Sequence, residues 1–445
     1  MELELFTTYG SGSWQEHFHQ NVVFKQDEEA ENQVVNLYPK LQYETLEGFG
    51  GAVTDAAGYV YSLMNEQQKA QVITTYFSPE RMKYGIVRVH MDSCDFSTEM
   101  YEAMSDANDI DMTSFSFART EKYIMPMLED AQKAAGKPLE LMLSPWSPPA
   151  FMKTNGQRTF GGSIKPEFQK MWADYICRYI AEFEKRGFKV RRMSLQNEPK
   201  AVQTWDSCVY TASQEKEFLK DYMYPALKAH HLEEVEIFIW DHNKERVFER
   251  LDEIVDEETD QMVKGVAFHW YSGDHFEALE LVRQQYPDKK MIVSESCIEY
   301  GKFGGDSVIK SALRLSHEII GDLNHGMTAF YDWNLLLDEN GGPNHVGNFC
   351  HAPFLFDTCE KKLMPQLTQQ YFEHFSHYLV PGSVGIAFSR YTEEIDVTAY
   401  KRPDGSVAVV LLNKADRPMT VNLRVEGQLA EMILYPTSIT TGIIR

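Results

Sequence analysis

The sequence predicts an α/β fold, a (β/α)8 TIM barrel with a side antiparallel β-sandwich domain built from the C-terminus and the N-terminal segment. Over most of the 445 residues, short apolar stretches rich in strand-forming residues alternate with helix-patterned stretches. Eight strands that lack polar alternation are typical of a parallel barrel, because both faces of each strand are covered. After about residue 384 the helical period disappears, and two strand-like runs flank Arg402-Pro403-Asp404-Gly405, which is a hairpin signal.

The barrel strands and helices follow one another along the chain in a regular rhythm. The strands are predicted at 46–50, 86–90, 139–144, 190–196, 235–240, 266–270, 291–294 and 327–331. The helices are predicted at 65–75, 117–134, 166–186, 212–229, 246–253, 276–285 and 305–318. We therefore divide the chain into an N-terminal segment (1–40), a catalytic barrel (41–380) and a C-terminal β-domain (381–445). In the N-terminal segment, 21–25 and 33–37 are candidate edge strands of the β-domain.

Charge and hydropathy exclude several classes of partner. The chain has 43 basic and 66 acidic residues, a net charge of −23, so phosphate backbones are repelled and nucleic acid is not an expected partner. No apolar run approaches the ~20 residues of a membrane span, so no integral membrane segment is expected. The start MELELFTTYG lacks a basic region followed by an apolar one. We therefore expect a cytoplasmic protein, or a secreted one from which a signal peptide has been removed.

No metal or cofactor motif is present. The six cysteines have no CxxC spacing, which favours reduced thiols over a zinc or redox site: Cys94, Cys177, Cys208, Cys297, Cys350 and Cys359. The run Gly48-Phe49-Gly50-Gly51 lacks the spacing of a nucleotide-binding loop, and no Lys-Ser/Thr follows it. No histidine and carboxylate pair has ligand spacing, so metal binding is disfavoured. The sequence carries no signal for a particular oligomeric state.

Carboxylates, aromatic rings, amides and histidines follow every predicted strand at its C-terminal end. In a barrel of this type these ends line the active site, although barrel packing itself requires only branched aliphatic residues. The residues are Asp55 after strand 1, Asp92 and Asp95 after strand 2, Trp146 after strand 3, Asn197 and Glu198 after strand 4, Asp241 and His242 after strand 5, His269 and Tyr271 after strand 6, Glu295 after strand 7 and Trp333 after strand 8. Aromatic faces pack on the C–H surfaces of sugars and polar groups bind hydroxyls, so this set predicts a carbohydrate site.

Two glutamates indicate the chemistry. Glu198 and Glu295 come from nearly opposite sides of an eight-stranded ring and can converge across its mouth. Glycoside hydrolysis needs two carboxyl groups that flank one bond, one as acid and the other as nucleophile or base. A neighbouring carboxylate and partial burial are expected to raise the pKa of the acid. For retention of configuration the two groups are predicted to lie ~5–5.5 Å apart.

Each of these residues also has a structural interpretation of its own. A single glutamate at a strand end is usually a solvated loop charge, and Asn197-Glu198-Pro199 can simply start a helix. His269 alone is most often a hydrogen-bonded core histidine, and Asp55 can cap a helix that begins near residue 56. Trp146 can be a packing anchor in its Pro-rich loop. The joint placement of these residues is what favours a site.

An ordered set of motifs resembles glycoside hydrolase family 30, and most closely its glucosylceramidase (acid β-glucosidase) branch. The motifs are GFGGAVTDAA (48–57), RVHMDSCDFS (88–97), LSPWSPPAFMKTNG (143–156), QNEP (196–199), FHWY (268–271), SESC (294–297) and YDWNLLLDENGGPN (331–344). Together with the terminal β-domain they span almost the whole chain. The resemblance implies a (β/α)8 barrel with a side β-sandwich that hydrolyses β-glycosides with retention.

The resemblance also implies a role for individual residues. Glu198 matches the acid/base and Glu295 the nucleophile of the family. The sugar-binding positions match Asp55, Trp146, Asn197 and Trp333, and the pocket-lining positions match His269, Tyr271 and Asn344. Asp92 stands where the family has a small residue, and it is expected to face the pocket and bind a further hydroxyl or a polar aglycone.

The predicted function is a retaining, exo-acting β-glucosidase of the glucosylceramidase type, which needs no metal or cofactor. Its partner would be a small carbohydrate or glycolipid substrate. Two alternatives keep the chemistry and change the substrate: a β-xylosidase, or a β-1,6-glucanase with an open groove. A further alternative of a different class is a carbohydrate-binding pseudo-enzyme, which would bind sugar without turnover.

Overall fold

The computed structural model describes residues 1–11 and 14–445. Within residues 14–445, eight parallel strands close into a barrel in chain order, and the last strand pairs with the first through Ala329 and Gly48. The barrel strands are Gly48–Ala52, Ile86–Met91, Glu140–Pro145, Lys189–Ser194, Glu236–Asn243, Gly265–His269, Lys290–Glu295 and Met327–Asp332. The predicted barrel is confirmed, and each predicted strand overlaps an observed one.

The second barrel strand shows how the chain separates two environments. Val87, Val89 and Met91 belong to the large apolar core between the strands and the helices. Ile86 belongs instead to a small inner cluster with Met142, Phe238 and Ile292 among others. Since side chains alternate along a strand, Arg88 shares the inner face with Ile86. A fully buried arginine therefore lies inside the barrel, beneath the C-terminal ends of its strands.

Helices surround the barrel; the seven predicted ones are found, one of them interrupted, and Asp55–Ser62 and Leu367–Ser376 were not among the predicted ranges. The longer helices are Asp55–Ser62, Glu66–Phe77, Ala118–Ala135, Gln169–Lys185, Val247–Ile254, Phe276–Gln285, Val308–Asn324 and Leu367–Ser376. A four-residue helix, Tyr300–Phe303, follows the seventh strand. The single helix predicted at 212–229 consists of Ala212–Glu217 and Tyr224–Ala229 joined by a π-helical segment, Phe218–Met223. Its start is well defined, because Thr211 and Gln214 form a reciprocal capping box.

The β-domain joins both ends of the chain, as predicted, but the strand expected at 33–37 is an interior strand and not an edge strand. In the described residues ten strands form one sheet, largely antiparallel, in which Val34–Thr45 lies between Val384–Ser389 and Met419–Val425. The other strands are Glu2–Ser11, Trp14–Val23, Lys25–Gln26, Ile395–Lys401, Val407–Asn413, Gln428–Leu434 and Ser438–Ile444. The predicted hairpin at 402–405 is confirmed, with Gly405 at φ +88°. A three-stranded sheet that the sequence did not predict comprises Leu336–Asp338, Phe354–Asp357 and Lys362–Pro365.

A buried histidine connects the last barrel helix with the β-domain. His374 of helix Leu367–Ser376 hydrogen-bonds to the hydroxyls of Thr441, at 2.9 Å, and Thr8, at 2.8 Å. Burial lowers the pKa of His374 to about 3. The neutral imidazole is therefore part of the folded interface, whereas the same group in an unfolded chain takes up a proton near pH 6.5.

We expect His374→Gln to weaken the acid sensitivity of the fold. Above pH 6.5 the ring is neutral in both states and contributes no pH dependence. As the pH falls from 6.5 towards 3, only the unfolded state binds the proton, and stability falls by up to about 1.4 kcal/mol per pH unit. Denaturant unfolding between pH 7.5 and 4.5 should show a shallower decline for the variant, and an unchanged slope would contradict the assignment.

Among the described residues, no helix has the length and apolar character needed to cross a membrane.

Candidate active site

Glu198 lies in a tight turn after the fourth barrel strand. Its backbone has φ +48°, a left-handed conformation that is rare for a residue with a side chain. Two backbone hydrogen bonds fix this turn: Glu198 N–H donates to the Asp241 carbonyl at 2.9 Å, and Asn197 N–H donates to the Pro145 carbonyl at 2.8 Å. The turn is therefore held by the strands on either side of it. The carboxyl group of Glu198 is directed into the mouth of the barrel, where its side chain is 16% exposed.

Glu295 is the last residue of the seventh barrel strand, and two donors hold its carboxylate. Arg88 Nη1 donates to Oε2 at 2.6 Å, and the Tyr271 hydroxyl donates to Oε1 at 2.9 Å. Both partners are largely buried, so the orientation of this carboxylate is fixed before any ligand arrives. A carboxylate held in a fixed orientation suits the nucleophile of glycoside hydrolysis.

Both glutamates line one cavity of about 220 Å³ at the C-terminal ends of the strands. Six of the ten predicted site residues share it: Trp146, Asn197, Glu198, Tyr271, Glu295 and Trp333. Trp146 and Trp333 stack on each other with their ring centroids 5.3 Å apart and form an aromatic wall. A larger cavity of about 360 Å³ beside Trp270 contains neither glutamate. The fold therefore brings the two carboxyl groups to the same small cavity, and hydrolysis of a glycosidic bond requires two such groups on either side of the bond.

The other four predicted residues do not line the cavity. Asp55 is fully buried, and its carboxylate accepts two hydrogen bonds from Arg119 at 2.8 and 3.0 Å. Asn344 orders its own loop, where its Oδ1 accepts from the Val346 N–H at 3.0 Å and the Asn348 N–H at 3.1 Å. His269 is buried behind Glu198 rather than in the cavity wall.

Asp92, predicted to face the pocket, points away from it. Its backbone is left-handed, with φ +56°, and its carboxylate accepts hydrogen bonds from the hydroxyls of Tyr179, at 2.7 Å, and Tyr175, at 2.8 Å. Arg158 Nη1 lies 3.3 Å from Asp92 Oδ2, the oxygen that also accepts from Tyr175. The turn after the second strand directs this acid toward helix Gln169–Lys185, so Asp92 anchors the loop and is not available to a substrate.

Sequence reasoning assigned no role to Arg88, which connects both glutamates through buried groups. Besides Glu295, it donates to Asp241 Oδ2 and to Asn197 Oδ1, each at 2.9 Å. Asp241 Oδ1 lies 3.1 Å from His269 Nε2, and His269 Nδ1 lies 3.4 Å from Glu198 Oε1. The charges alternate in sign along this chain of contacts. An arginine among apolar residues in a barrel strand, as in IVRVHM, is the sequence signal that was available.

The histidine behind Glu198 reverses the expected pKa shift. Burial alone raises the pKa of Glu198, but the contact with His269 and the charge of His242 together outweigh it, and the pKa lies below its usual value. Burial lowers the pKa of His269, yet Glu295, Asp241 and Glu198 together raise it to about 9. The prediction of a raised pKa for the acid is therefore wrong. The prediction took account of burial and of the second carboxylate, but not of the positive charge on His269.

Asp95 and Asn348 also line the cavity, although Asp95 was noted only as a residue that follows strand 2 and Asn348 was not predicted. Asn348 Nδ2 donates to Asp95 Oδ2 at 3.0 Å, and both residues line the cavity. Burial, reinforced by the negative charge of Glu295, raises the pKa of Asp95 to about 8. Asp95 is thus a neutral carboxylic acid at pH 7 and can donate a hydrogen bond to a sugar hydroxyl.

We expect sugar binding to weaken as Asp95 ionises. Above about pH 8 the wild-type cavity gains a negative charge and loses this donor, so KM should rise by up to roughly tenfold between pH 7 and 9. Asp95→Asn keeps an N–H donor at every pH and should show a flatter KM profile. Steady-state kinetics at several pH values test this, and identical KM profiles for the two proteins would show that Asp95 does not contact the sugar.

Comparisons with known proteins agree with this architecture. Residues 46–379 match the glycosyl hydrolase family 30 TIM-barrel domain, and residues 382–442 match the family 30 β-sandwich domain. The mouse lysosomal acid glucosylceramidase is 30% identical over 410 residues, which cover 87% of this chain and 79% of that protein. The crystal structure of SrfJ from Salmonella typhimurium is 33% identical, with a TM-score of 0.95 and full coverage of both chains.

A more distant structural relative has the same fold. An endo-β1,6-glucanase of known structure has a TM-score of 0.85 at 23% identity, covering 100% of this chain and 99% of its own. The two family 30 domains together account for nearly the whole chain after residue 45. The protein therefore belongs to glycosyl hydrolase family 30 and is a glycoside hydrolase.

Proposed function

We propose that the protein is an exo-acting, retaining β-glucosidase that removes terminal β-D-glucosyl residues. The observation that carries this proposal is the placement of Glu198 and Glu295 in one cavity of about 220 Å³. Sites for drug-sized ligands measure roughly 300–1,000 Å³, so this cavity suits a ligand of one or two sugar rings better than a long chain. The similarity to a glucosylceramidase favours glucose as the ring that is released.

In the first step Glu295 attacks the anomeric carbon and forms a glycosyl-enzyme. Arg88 and Tyr271 hold the carboxylate through hydrogen bonds of 2.6 and 2.9 Å, so little reorganisation is needed. Glu198 protonates the departing oxygen. His269 Nδ1 lies 3.4 Å from Glu198 Oε1 and can supply the proton that Glu198 passes on, and acidic conditions favour the protonated carboxyl.

In the second step Glu198 removes a proton from water, which attacks the glycosyl-enzyme. Esterification of Glu295 removes the negative charge that helps to hold the pKa of His269 at about 9. The loss of that charge also favours the ionised form of Glu198, which is the form that acts as base. The same residue can thus serve as acid and then as base. The protein's own groups account for both steps without a metal or cofactor.

A panel of 4-nitrophenyl β-D-glycosides tests the sugar, with glucoside, xyloside, galactoside and fucoside compared by kcat/KM. The expected result is a clear preference for the glucoside, and a preference for the xyloside would support the β-xylosidase alternative. Proton NMR of the first-formed product tests retention, and an α-anomer would exclude it. A carbohydrate-binding protein without activity would turn over none of the four.

A second candidate is a β-1,6-glucanase, because an endo-β1,6-glucanase shares the fold over the whole chain. The two candidates differ in the product released from a β-1,6-glucan. An exo-acting β-glucosidase releases glucose alone, whereas a glucanase releases oligosaccharides. Chromatography of the early products decides between them. Glucosylceramide in mixed micelles completes the panel, since the glycolipid is a predicted substrate.

A further inference from the structure

Polar side chains with free hydrogen-bonding atoms cluster on the Glu198 side of the cavity. The five residues are Gln203, Trp205, His242, Asn243 and Glu299. Among the described residues, the Glu299 carboxylate, the Gln203 amide and the Trp205 indole N–H have no hydrogen-bond partner. His242 Nδ1 is buried and also lacks one. Unpaired polar groups of this kind in a cavity are typical of a site that receives a polar ligand.

This side of the cavity is where the leaving group departs. Glu198 delivers its proton to the leaving oxygen, and His242 Nε2 lies 3.9 Å from Glu198 Oε1. Gln203 and Trp205 lie in the loop that continues from Glu198. Asp95 and Asn348, which are bonded to each other, line the same cavity. Gln203, Trp205 and His242 are therefore the polar groups that lie beside the acid, where the first atoms of the leaving group are placed.

We propose that these residues form a subsite for a hydroxylated leaving group, a second sugar ring, with Glu299 as its specificity-determining acceptor and Trp205 as its stacking face. The inference rests on the proposed β-glucosidase function and specifies the substrate class for it. A hydrocarbon leaving group would cover these polar groups without replacing their hydrogen bonds to water, which is unfavourable. A sugar ring offers hydroxyl donors to Glu299 and an apolar face to Trp205.

Glu299 is well placed to select the leaving group. Its backbone forms a β-bridge with Cys350, and the His351 N–H donates to the Ile298 carbonyl at 2.8 Å beside it. The backbone is thus fixed while the carboxylate stays free. Burial and the charges of Glu198 and Glu295 raise the pKa of Glu299, although Lys302 opposes them. A hydroxyl that donates a hydrogen bond to the Glu299 carboxylate stabilises its charged form and so offsets the cost of burying that charge.

A lipid leaving group is the alternative outcome. Phe160 and Val202 are exposed on the outer part of the same loops, and the Phe160 N–H donates to the Gln203 carbonyl at 2.7 Å. An alkyl chain leaving the cavity would pass over them. The inner residues, which meet the first atoms of the leaving group, are polar, and they favour the sugar.

The test compares leaving groups in the full-length protein. We would measure kcat/KM for cellobiose, laminaribiose and gentiobiose, for 4-nitrophenyl β-D-glucoside, and for glucosylceramide in mixed micelles. The variants are Glu299→Gln, which keeps the shape and removes the charge, and Trp205→Ala. Glu257→Gln is the matched control, because Glu257 is exposed and does not line the cavity.

We expect Glu299→Gln to lower the ratio of disaccharide to aryl-glucoside kcat/KM by about tenfold or more, the effect of one hydrogen bond to a charged group. Trp205→Ala should lower the same ratio, and Glu257→Gln should not change it. The inference is overturned if the ratio is unchanged in both variants, or if wild-type protein prefers glucosylceramide to every disaccharide.

A binding measurement separates this inference from the proposed catalytic function. Calorimetry on Glu295→Gln compares methyl β-D-glucoside with the three disaccharides, and the second ring should tighten binding. Adding Glu299→Gln should remove that gain. If wild-type protein hydrolyses none of the substrates, the catalytic proposal fails, yet this comparison still decides the subsite. Equal affinities for methyl β-D-glucoside and for all three disaccharides would overturn the proposed subsite.

Discussion

Glu295→Gln is expected to abolish turnover while sugar binding persists. The amide keeps the size of the side chain and can still accept a hydrogen bond from Arg88, so the cavity retains its shape. It cannot form the glycosyl-enzyme, and loss of a covalent nucleophile lowers kcat by roughly 10⁴-fold or more. Steady-state assays with an aryl β-D-glucoside measure the loss, and calorimetry measures binding.

The role of Glu295 is separated from that of Glu198 by chemical rescue. Glu198→Ala removes the acid and base, so an aryl glucoside with a good leaving group should still form the glycosyl-enzyme. Azide then takes the place of the activated water and should restore turnover with a β-glycosyl azide as product. The same treatment of Glu295→Ala should not yield that product by double displacement. Equal activity of Glu295→Gln and wild type would show that another group is the nucleophile.

A mechanism-based inactivator gives an independent test of the same assignment. A 2-deoxy-2-fluoro-β-glucoside with a good leaving group should label wild-type protein once, and peptide mapping should locate the label on Glu295. Exposed Glu257 provides a control position, since Glu257→Gln should label at the wild-type rate. A label on a different carboxylate would assign the nucleophile there.

The sequence predicted the barrel well because each element carried a local signal. Strand Ile86–Met91 is apolar on both faces apart from Arg88 and His90, and helix Glu66–Phe77 begins with a capping box of Asn65 and Gln68. The sequence did not predict Glu2–Ser11 as a strand, although its first residues alternate between polar and apolar, because it joins the sheet by pairing with Ser438–Ile444 at the far end of the chain. Contacts over more than 400 residues are not encoded in a local pattern.

The sequence predicted the candidate site from the residues that follow barrel strands, but this position alone did not decide which side chains face the cavity. Glu295 ends its strand, and Trp146 and Trp333 follow theirs immediately. Asp55, Asp92 and Asp95 all follow strands, and the sequence pattern does not distinguish them. Their partners on distant helices distinguish them. Arg119 binds Asp55, and Tyr175 and Tyr179 bind Asp92. Of the three acids, only Asp95 lines the cavity.

Arg88 forms buried ion pairs with two carboxylates of the site. Its guanidinium is fully buried and contacts Asp241 and Glu295 at 2.9 and 2.6 Å, and its charge lies 4.9 Å from the centre of the Trp146 ring. These carboxylates hold the pKa of Arg88 above its usual value despite burial, and Arg88 in turn lowers the pKa of Asp241. Removal of one partner leaves the other charges buried without compensation.

We therefore expect Arg88→Met to destabilise the fold by about 3–5 kcal/mol and to lower kcat/KM by at least 100-fold. Methionine fills the apolar volume but leaves Asp241 and Glu295 as adjacent unpaired charges. The loss of stability should be smaller at pH 5 than at pH 8. Without Arg88 the pKa of Asp241 rises, and protonation at low pH then removes the buried charge.

Two further variants separate folding from catalysis. Arg88→Lys retains a positive charge but not the paired donors that reach Asp241 and Glu295 together, so it should be more stable than Arg88→Met and still catalyse poorly. Arg246→Met removes an exposed arginine that pairs with Glu249 on the surface, and it should change little. Denaturant unfolding and kcat/KM are measured for all three. If Arg88→Met proved as stable and as active as Arg246→Met, the buried charges around Arg88 would not be what holds Glu295 in position. The central residue of that group could then be lost without an effect on stability or activity.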